Sequence, residues 1–574
     1  MREGGRGRGL LLDAWPLVLA VVLTFPLLTR SGHPLARDLV FVPHQPWTDA
    51  SLGLGGSAPR AVPLDTVVSL LTAHVLDGAL VARIAIPLIL AAAGWGMHRL
   101  VRPFGTLARF AAAGFAVWNP YVVERLALGQ WALLAAYAAL PWLVVAATRY
   151  RGSGSWRDLG AVAGWLALAS LTPTGGLIGA VTAAVCGVGR TVAAVRLLLV
   201  AAVLQLPWLL PSLLGSAALT SDPAGVRAFA ADSEGPGGVL TALVGLGGIW
   251  DSRSVPGSRQ GWWSVAAAVV VALVLVAGWR GLRRAWGPGP FARLTVLAAL
   301  GFALAVLPVL AGGDATMSWV VGHLPGGGLA RDSQKFLAPY VVLVVAAFAA
   351  TVDRAAARVA GAGSELVVTV ALLAVPLPVA LLPDATSLVW QTVDPVHYPA
   401  GFDAVADRVD GSGGTLVTLP WRSYRGFTWG NGLVSSDPAV RWFDTDVLVS
   451  DDLAVGSTTV HGENARSRDL GADLARLPVA EALRDNGVSW ALVYRDDPDA
   501  GSLDLTGLDL VHEDADLALY SVPDASPTAH GAGRATRVVV VAADLLAAAV
   551  AVGGTLLAIR RRRNAPPRHD SLLQ

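Results

Sequence analysis

Residues 79–98 read ALVARIAIPLILAAAGWGMH, twenty residues in which Arg83 is the one charged group. As a helix this stretch rises about 30 Å, the thickness of a bilayer's hydrocarbon core. Arg99, Arg102 and Arg109 follow closely, as basic residues do on the cytoplasmic side of a span. Reading outward in both directions, comparable runs lie at 11–29, 106–120, 129–148, 158–172, 175–189, 195–214, 263–280, 293–311, 337–352, 365–383 and 536–558. The short runs 158–172 and 175–189, parted by Thr172-Pro173-Thr174-Gly175-Gly176, suit a broken or re-entrant pair. Composition agrees: 54% hydrophobic residues, 15% charged and a mean hydropathy of +0.55 exceed what a soluble core needs. The pattern predicts an α-helical polytopic membrane protein with about twelve transmembrane helices. Three regions follow: a multi-span domain over 1–384 with a first outer loop at 30–78, an extracytoplasmic α/β domain over 385–530, and a final helix with a basic tail over 531–574.

The arginines between runs fall on alternate sides. Arg149, Arg151 and Arg157, Arg190 and Arg196, Arg280, Arg283, Arg284 and Arg293, and Arg354 and Arg358 share the side of Arg99. That places both termini in the cytoplasm of a plasma-membrane protein, with 385–530 outside and Arg560 to Arg563 as a topology anchor. Arg2, Arg6 and Arg8 precede the first run, but Leu27-Leu28-Thr29-Arg30 lacks a small-residue cleavage site, so the run is expected to stay as a span. A net charge of +1 excludes the strong basic field of a nucleic-acid binder. The single cysteine, Cys186, excludes a disulfide framework and a cysteine metal site.

Three outer segments carry ionisable groups. The first loop holds Asp38, His44, Trp47, Asp49 and Asp65 in a Pro-punctuated stretch, and Leu64, Val67, Val68, Leu71 and Val75 have the spacing of an interfacial helix. A carboxylate just beyond the first span sits where a lipid-linked phosphate meets water; its plain reading is loop solvation or helix capping. The turn Trp118-Asn119-Pro120-Tyr121-Val122-Val123-Glu124-Arg125 puts Glu124 and Arg125 at membrane level, where ionisable groups need a partner or a polar cavity. A self-satisfied ion pair is the plain reading there. Gly326-Gly327-Gly328-Leu329-Ala330-Arg331-Asp332-Ser333-Gln334-Lys335-Phe336 precedes a run and contains the chain's one lysine among 43 basic residues. A lysine kept against that arginine bias suits a compact point charge. Arg331 and Lys335, four apart, share a helix face. The alternative is a lysine snorkelling to the interface.

Within 385–530, Gly413 to Pro420 and Val488 to Tyr494 read as strands, Val479 to Arg484 as a helix, and Leu508–Val511 with Leu517–Val522 as a hairpin across Glu513-Asp514-Ala515-Asp516. Trp421, Tyr424, Phe427, Trp429, Trp442 and Phe443 beside acids suit sugar stacking and equally a plain aromatic core. His461-Gly462-Glu463 lacks zinc-ligand spacing.

The segments RDLVFVPHQPWTDASLG, WNPYVVERLALGQWALL and RDSQKF are similar to segments of large actinobacterial cell-envelope membrane proteins grouped with arabinofuranosyl- and mannosyltransferases. The arrangement over about 10–380 resembles the GT-C type of polytopic glycosyltransferase. The resemblance implies transfer of a sugar from a polyprenyl-phosphate donor to a glycan or glycolipid acceptor on the outer face. It implies an acidic residue of the first outer loop as the residue serving the acceptor or a divalent metal: Asp38, with Asp49 second. The family's usual paired acids are missing, since Arg37 and Leu39 flank Asp38. Arg331, Lys335 and Arg125 would neutralise the departing phosphate of an inverting or retaining displacement. His44, Trp47, Glu124 and Asp332 would support the site. Two other classes fit a many-span chain: a transporter or flippase of lipid-linked glycans, and a non-catalytic envelope-assembly scaffold. Transport is disfavoured by spans built of Ala, Val and Leu, with Arg83 and Gln205 as their few polar groups. If Asp38, Glu124, Arg331 and Lys335 scattered over separate surfaces, the enzyme reading would fail.

Overall fold

The computed structural model describes residues 3–73, 75–361, 363–525 and 531–560, so Arg561 to Arg563 of the basic tail lie outside the described residues. Each of the twelve apolar runs forms helix, but not each is a full span. Among the described residues seven helices are long and apolar enough to cross a membrane: Gly78–Leu100, Trp131–Ser153, Trp262–Trp286, Pro288–Val309, Ser333–Val359, Ser364–Leu381 and Arg534–Ile559. Counting Thr191–Val203 with Leu206–Leu214, bent by 55°, makes eight. Seven or eight full spans are thus shown among the described residues, and the full dozen is not. Of the remaining four runs, three give helices of 12 to 15 residues and the first gives Glu3–Leu23, of which Asp13–Leu23 is the apolar part; the sequence shows why they stop.

Thr106–Val117 ends at Trp118-Asn119-Pro120, where proline forces the preceding residue out of the helical region. Asn119 is extended (φ −155°, ψ 161°), and its Oδ1 accepts from Val122 N at 3.1 Å. This side-chain cap with proline at the first position starts a new short helix, Pro120–Ala127. Thr172-Pro173 does the same between Trp156–Ala169 and Pro173–Gly187. The first run is broken between Glu3–Leu23 and Phe25–Thr29, just before Pro26.

The helix Ala338–Val359 is the axis of the bundle, buried continuously from Val341 to Ala350. Trp262–Trp286, Thr106–Val117 and Pro288–Val306 pack around it. Trp131–Ser153 is likewise buried, between Gly78–Leu100 and the two short helices that follow it. The last helix, Arg534–Arg560, rests on Trp156–Ala169, where a Cβ on Gly160 would collide with the backbone of Gly554. Its outer side, with Leu545, Val552 and Leu556, is exposed, as suits a lipid-facing helix.

The outer region is built on a five-stranded sheet. Its strand order is Asp509–Glu513, Leu517–Ser521, Val488–Tyr494, Thr415–Leu419, Asp446–Leu448. The pairs on either side of Thr415–Leu419 are parallel and the other two antiparallel. Alternate residues serve two cores, as a strand's period of two requires. Leu416, Leu492, Leu517 and Leu519 pack with Phe402, Val405 and Val409, while Val417, Val493 and Ala518 pack with Leu470 and Leu483.

What positions the site is the join between the two parts. In the first outer loop, His33–Ala36 pairs antiparallel with Leu39–Val40 and with Pro395–Val396. Arg37 N donates to Val434 O at 2.7 Å, and Ser436 N donates to Arg37 O at 2.8 Å. The loop thereby becomes an edge of the small hairpin Tyr424–Gly426/Val434–Ser436 of the outer domain. The helix Leu64–Thr72 forms where the interfacial spacing predicted one, with Val67, Leu70 and Leu71 exposed.

Candidate active site

Asp332 is the hub. It precedes the axial helix, and Arg125 of Pro120–Ala127 grips it with two parallel bonds, Nη1–Oδ2 at 2.8 Å and Nη2–Oδ1 at 3.0 Å. Lys335 Nζ lies 3.2 Å from Oδ2 of the same carboxylate. The Arg125 side chain is 0% exposed. Such a fork-to-fork pair holds a planar geometry that a lysine would not. Burial alone would raise the Asp332 carboxyl's pKa; Arg125 and Lys335 outweigh it and hold it down at about 2. Gln334 Oε1 accepts from Arg125 Nε at 2.9 Å, and Gln334 Nε2 donates to Gly247 O at 3.0 Å.

From Arg125 the network reaches Asp38. Arg125 Nη1 donates to Gln130 Oε1 at 2.7 Å, and Gln130 Nε2 donates to Asp38 Oδ2 at 3.3 Å. The other Asp38 oxygen accepts from the Tyr424 hydroxyl of the outer domain. Burial and the neighbouring Asp38 push the Tyr424 phenol well above its ordinary range, so it stays a donor. Two backbone features aim Asp38. Arg37 has a left-handed φ of 55° and turns inward, where it pairs with Asp251 at 2.9 Å and donates to Arg253 O at 3.0 Å. Gly129 (φ 85°) lies so close under the loop that a Cβ would collide with Leu39 N and the Asp38 backbone.

Arg331 forms the outer rim. Its guanidinium stands 5.0 Å above the Phe229 ring and 3.5 Å from Glu463 Oε1. Arg60 pairs with the same Glu463. Burial, with Arg60 nearby, lowers the Arg331 pKa to about 10. Burial would raise Glu463, but Arg60 and Arg331 outweigh it and keep the carboxyl below its usual range. The Lys335 and Arg331 side chains are 23% and 16% exposed, and Lys335 feels the charge of Asp38 as well as that of Asp332.

The structure thus joins Asp38, Arg125, Asp332 and Lys335 in one network, while Arg331, adjacent in sequence to Asp332, is tied to Glu463. Other expected members lie elsewhere. Asp49 pairs with Arg537 at 2.6 and 2.8 Å and accepts from Ala532 N at 2.8 Å, an anchor for the start of the last helix. His44 Nδ1 bonds Thr72 O at 2.8 Å and ties the loop to Leu64–Thr72. Trp47 is 40% exposed. Glu124 points away from its neighbour Arg125 into a separate buried pocket with Glu234 and Arg259. Tyr424, Gln130, Gln334, Glu463 and Arg60 were not singled out as site residues from the sequence. Gln130 and Gln334 stood inside quoted motifs; Tyr424 and Glu463 stood in quoted stretches of 385–530, hundreds of residues from Asp38, where nothing local ties them to it.

The donor set around Asp38 does not suit a divalent metal. Both Asp38 oxygens already accept, from Tyr424 and Gln130, and the charge nearby is the Lys335 ammonium. Among the described residues no group of three His, Cys, Asp or Glu has metal-binding geometry.

No protein-family model matches the chain, and no curated protein does. Among solved structures it is similar to two cryo-EM structures of the arabinofuranosyltransferase AftD from mycobacteria, one of them a mutant. The mutant aligns with a TM-score of 0.56 at 16% identity, over 90% of this chain and 41% of that one. The second aligns with a TM-score of 0.54 at 16% identity, over 92% and 40%. The chain spans about two fifths of the length of these neighbours. At this identity the likeness is one of fold, and it bears out the resemblance to GT-C-type arabinofuranosyltransferases at that level.

Proposed function

We propose that this multi-pass membrane protein is a glycosyltransferase that moves a sugar from a polyprenyl-phosphate donor to a cell-envelope glycan or glycolipid. The carrying observation is the buried network that links a carboxylate, Asp38, through Gln130, Arg125 and Asp332 to the part-exposed Lys335, with Arg331, next in sequence to Asp332, paired to Glu463. An alcohol is a poor nucleophile at neutral pH, so the acceptor hydroxyl needs a base as the new bond forms at the anomeric carbon. Asp38 takes that proton. The donor's sugar–phosphate bond breaks and negative charge gathers on the leaving oxygen, which Lys335 and Arg331 stabilise. Arg125 and Asp332 hold Lys335 in place and keep its ammonium in a fixed direction. In the resting arrangement Tyr424 covers one Asp38 oxygen, so an acceptor must displace or share that contact.

The proposed orientation puts this cluster outside and both termini in the cytoplasm. Exposed Trp262 and Trp263 at one end of Trp262–Trp286 and Arg283 and Arg284 at the other support it, aromatic belt against basic inner end.

The test is transfer by purified protein from a polyprenyl-phosphate pentofuranose to a synthetic arabinan acceptor. Asp38→Asn is expected to lower kcat by about 10²–10⁴-fold, the usual worth of a positioned base. Lys335→Met is expected to lower it by about 10²–10³-fold, as for a lost charge-stabilising group. Transfer unchanged in both variants would overturn the assignment.

A further inference from the structure

Behind the Arg125–Asp332 clamp lies a second buried polar group that the transfer chemistry does not use. Glu124, Glu234 and Arg259 have side chains 0%, 1% and 1% exposed. Arg259 Nε pairs with Glu234 Oε2 and lies 3.5 Å from Glu124 Oε1. Glu234 is well supplied with donors, since its Oε1 also accepts from Gly248 N. Glu124 is not: neither of its oxygens meets a donor among the described residues, and Arg259 Nη1 is equally unpartnered. The two carboxyl groups are close neighbours. A Cβ on Gly247 would collide at once with Glu124 Oε1, Glu234 Oε1 and Arg259 Nη2, so glycine is what lets the backbone close over the trio.

Two facing acceptors can bond only through an added proton, and two carboxylates on one guanidinium would leave an uncompensated charge in a dry pocket. The other charges around the pocket are already committed. Arg125, next on the same helix, is held by Asp332 with Lys335 beyond it. Asp384, from the turn before Ala385–Val393, binds Ser258 N and Oγ beside Arg259. Asp251 is held by Arg37 near the far end of Pro120–Ala127.

We infer that Glu124 and Glu234 share one proton against Arg259, with Glu124 the protonated member donating to Glu234, so that the trio is a neutral proton-binding site. Burial, then the neighbouring Glu234, pushes the Glu124 carboxyl well above its ordinary range, in agreement. The site touches the candidate active centre through one wall. Gln334 accepts from Arg125 and donates to Gly247 O, the residue that caps the trio. Loss of the proton in alkaline medium would place a negative charge against that wall and loosen the clamp that holds Lys335.

The experiment is infrared spectroscopy of the full chain in nanodiscs with ¹³C-carboxyl glutamate, a label that leaves aspartates such as Asp544 silent. At neutral pH wild type is expected to show one protonated glutamic-acid carbonyl band that shifts in D₂O and disappears in alkaline buffer. Glu124→Gln and Glu234→Gln are each expected to abolish the band and to fold, because each leaves one carboxylate for Arg259. The double variant strands the guanidinium and is expected to melt well below either single one. Absence of the band in wild type overturns the inference even if a variant fails to fold, as does a band that survives both substitutions. These readouts are independent of glycosyl transfer, so a failure here leaves the proposed function standing, and the reverse.

Discussion

Replacing Asp332 by asparagine keeps the shape of the hub and removes its charge. Arg125, 0% exposed, and Lys335, 23% exposed, would then lose the carboxylate they share. Asp332 titrates at about 2 against an ordinary value of 3.8. At about 1.4 kcal/mol for each pKa unit, the folded state favours the ionised form by about 2–3 kcal/mol. One-sided breaking of a buried pair costs about 3–5 kcal/mol, because the remaining charge is left unpaired. The larger range applies, since the substitution strands a buried guanidinium as well as losing an attraction. Asp332→Asn is therefore expected to lower stability by about 3–5 kcal/mol at neutral pH. The pH dependence is fixed in sign. A carboxyl whose pKa is depressed on folding stabilises fully above its unfolded value and loses that contribution as pH falls through the folded one. The gap between wild type and variant should thus be full at neutral pH and narrow by about 2–3 kcal/mol as pH drops from about 4 towards about 2. Lys335→Met added to Asp332→Asn removes one of the two stranded cations and is expected to recover part of the loss. Unfolding followed by the fluorescence of the 20 tryptophans measures all three. An Asp332→Asn protein as stable as wild type at neutral pH, or a gap unchanged in acid, would refute the hub.

Asp49→Asn is expected to leave transfer within about twofold and cost about 0.2–1 kcal/mol, the range of a part-exposed ion pair, because Asp49 anchors Arg537 rather than the acceptor. A transfer defect like that of Asp38→Asn would show the wrong carboxylate had been chosen. Gly129→Ala is expected to cost more than about 1–2 kcal/mol, from a left-handed φ of 85° and a collision with the loop that carries Asp38. A melting temperature equal to wild type would remove the aiming role of that contact. Tyr424→Phe deletes the hydroxyl that holds one Asp38 oxygen in place, so kcat/KM should fall while the fold persists. An unchanged kcat/KM would mean that Tyr424 does not act through Asp38.

Much of the membrane part is legible from local signals. Apolar length marks the helices, and Asn119-Pro120 and Thr172-Pro173 mark where runs are cut. The count of full spans is less legible, because length in sequence does not say whether a proline-capped break turns a run into two short helices. At the site, Asp38, Arg125, Asp332, Arg331 and Lys335 each stood in a readable motif. The lone lysine proves to be a ligand of Asp332 rather than a snorkelling side chain. Glu124 misled: adjacency to Arg125 suggested a pair, yet the two point to different partners, as successive residues on a helix do.

The sequence by itself determined that the chain is a membrane bundle with a separate strand-containing region, because hydrocarbon imposes length and apolarity on every crossing segment and a strand imposes alternation. It also narrowed the ionisable candidates to three outer segments. Only the tertiary structure decided which of them share a site. Asp38 meets Tyr424 across 386 residues of chain, and Arg125 meets Asp332 across 207. Such meetings depend on how the first loop joins the outer hairpin and how Pro120–Ala127 packs on the axial helix. Charges with no local partner are settled by packing, since burial leaves each of them no alternative to the groups the fold brings near.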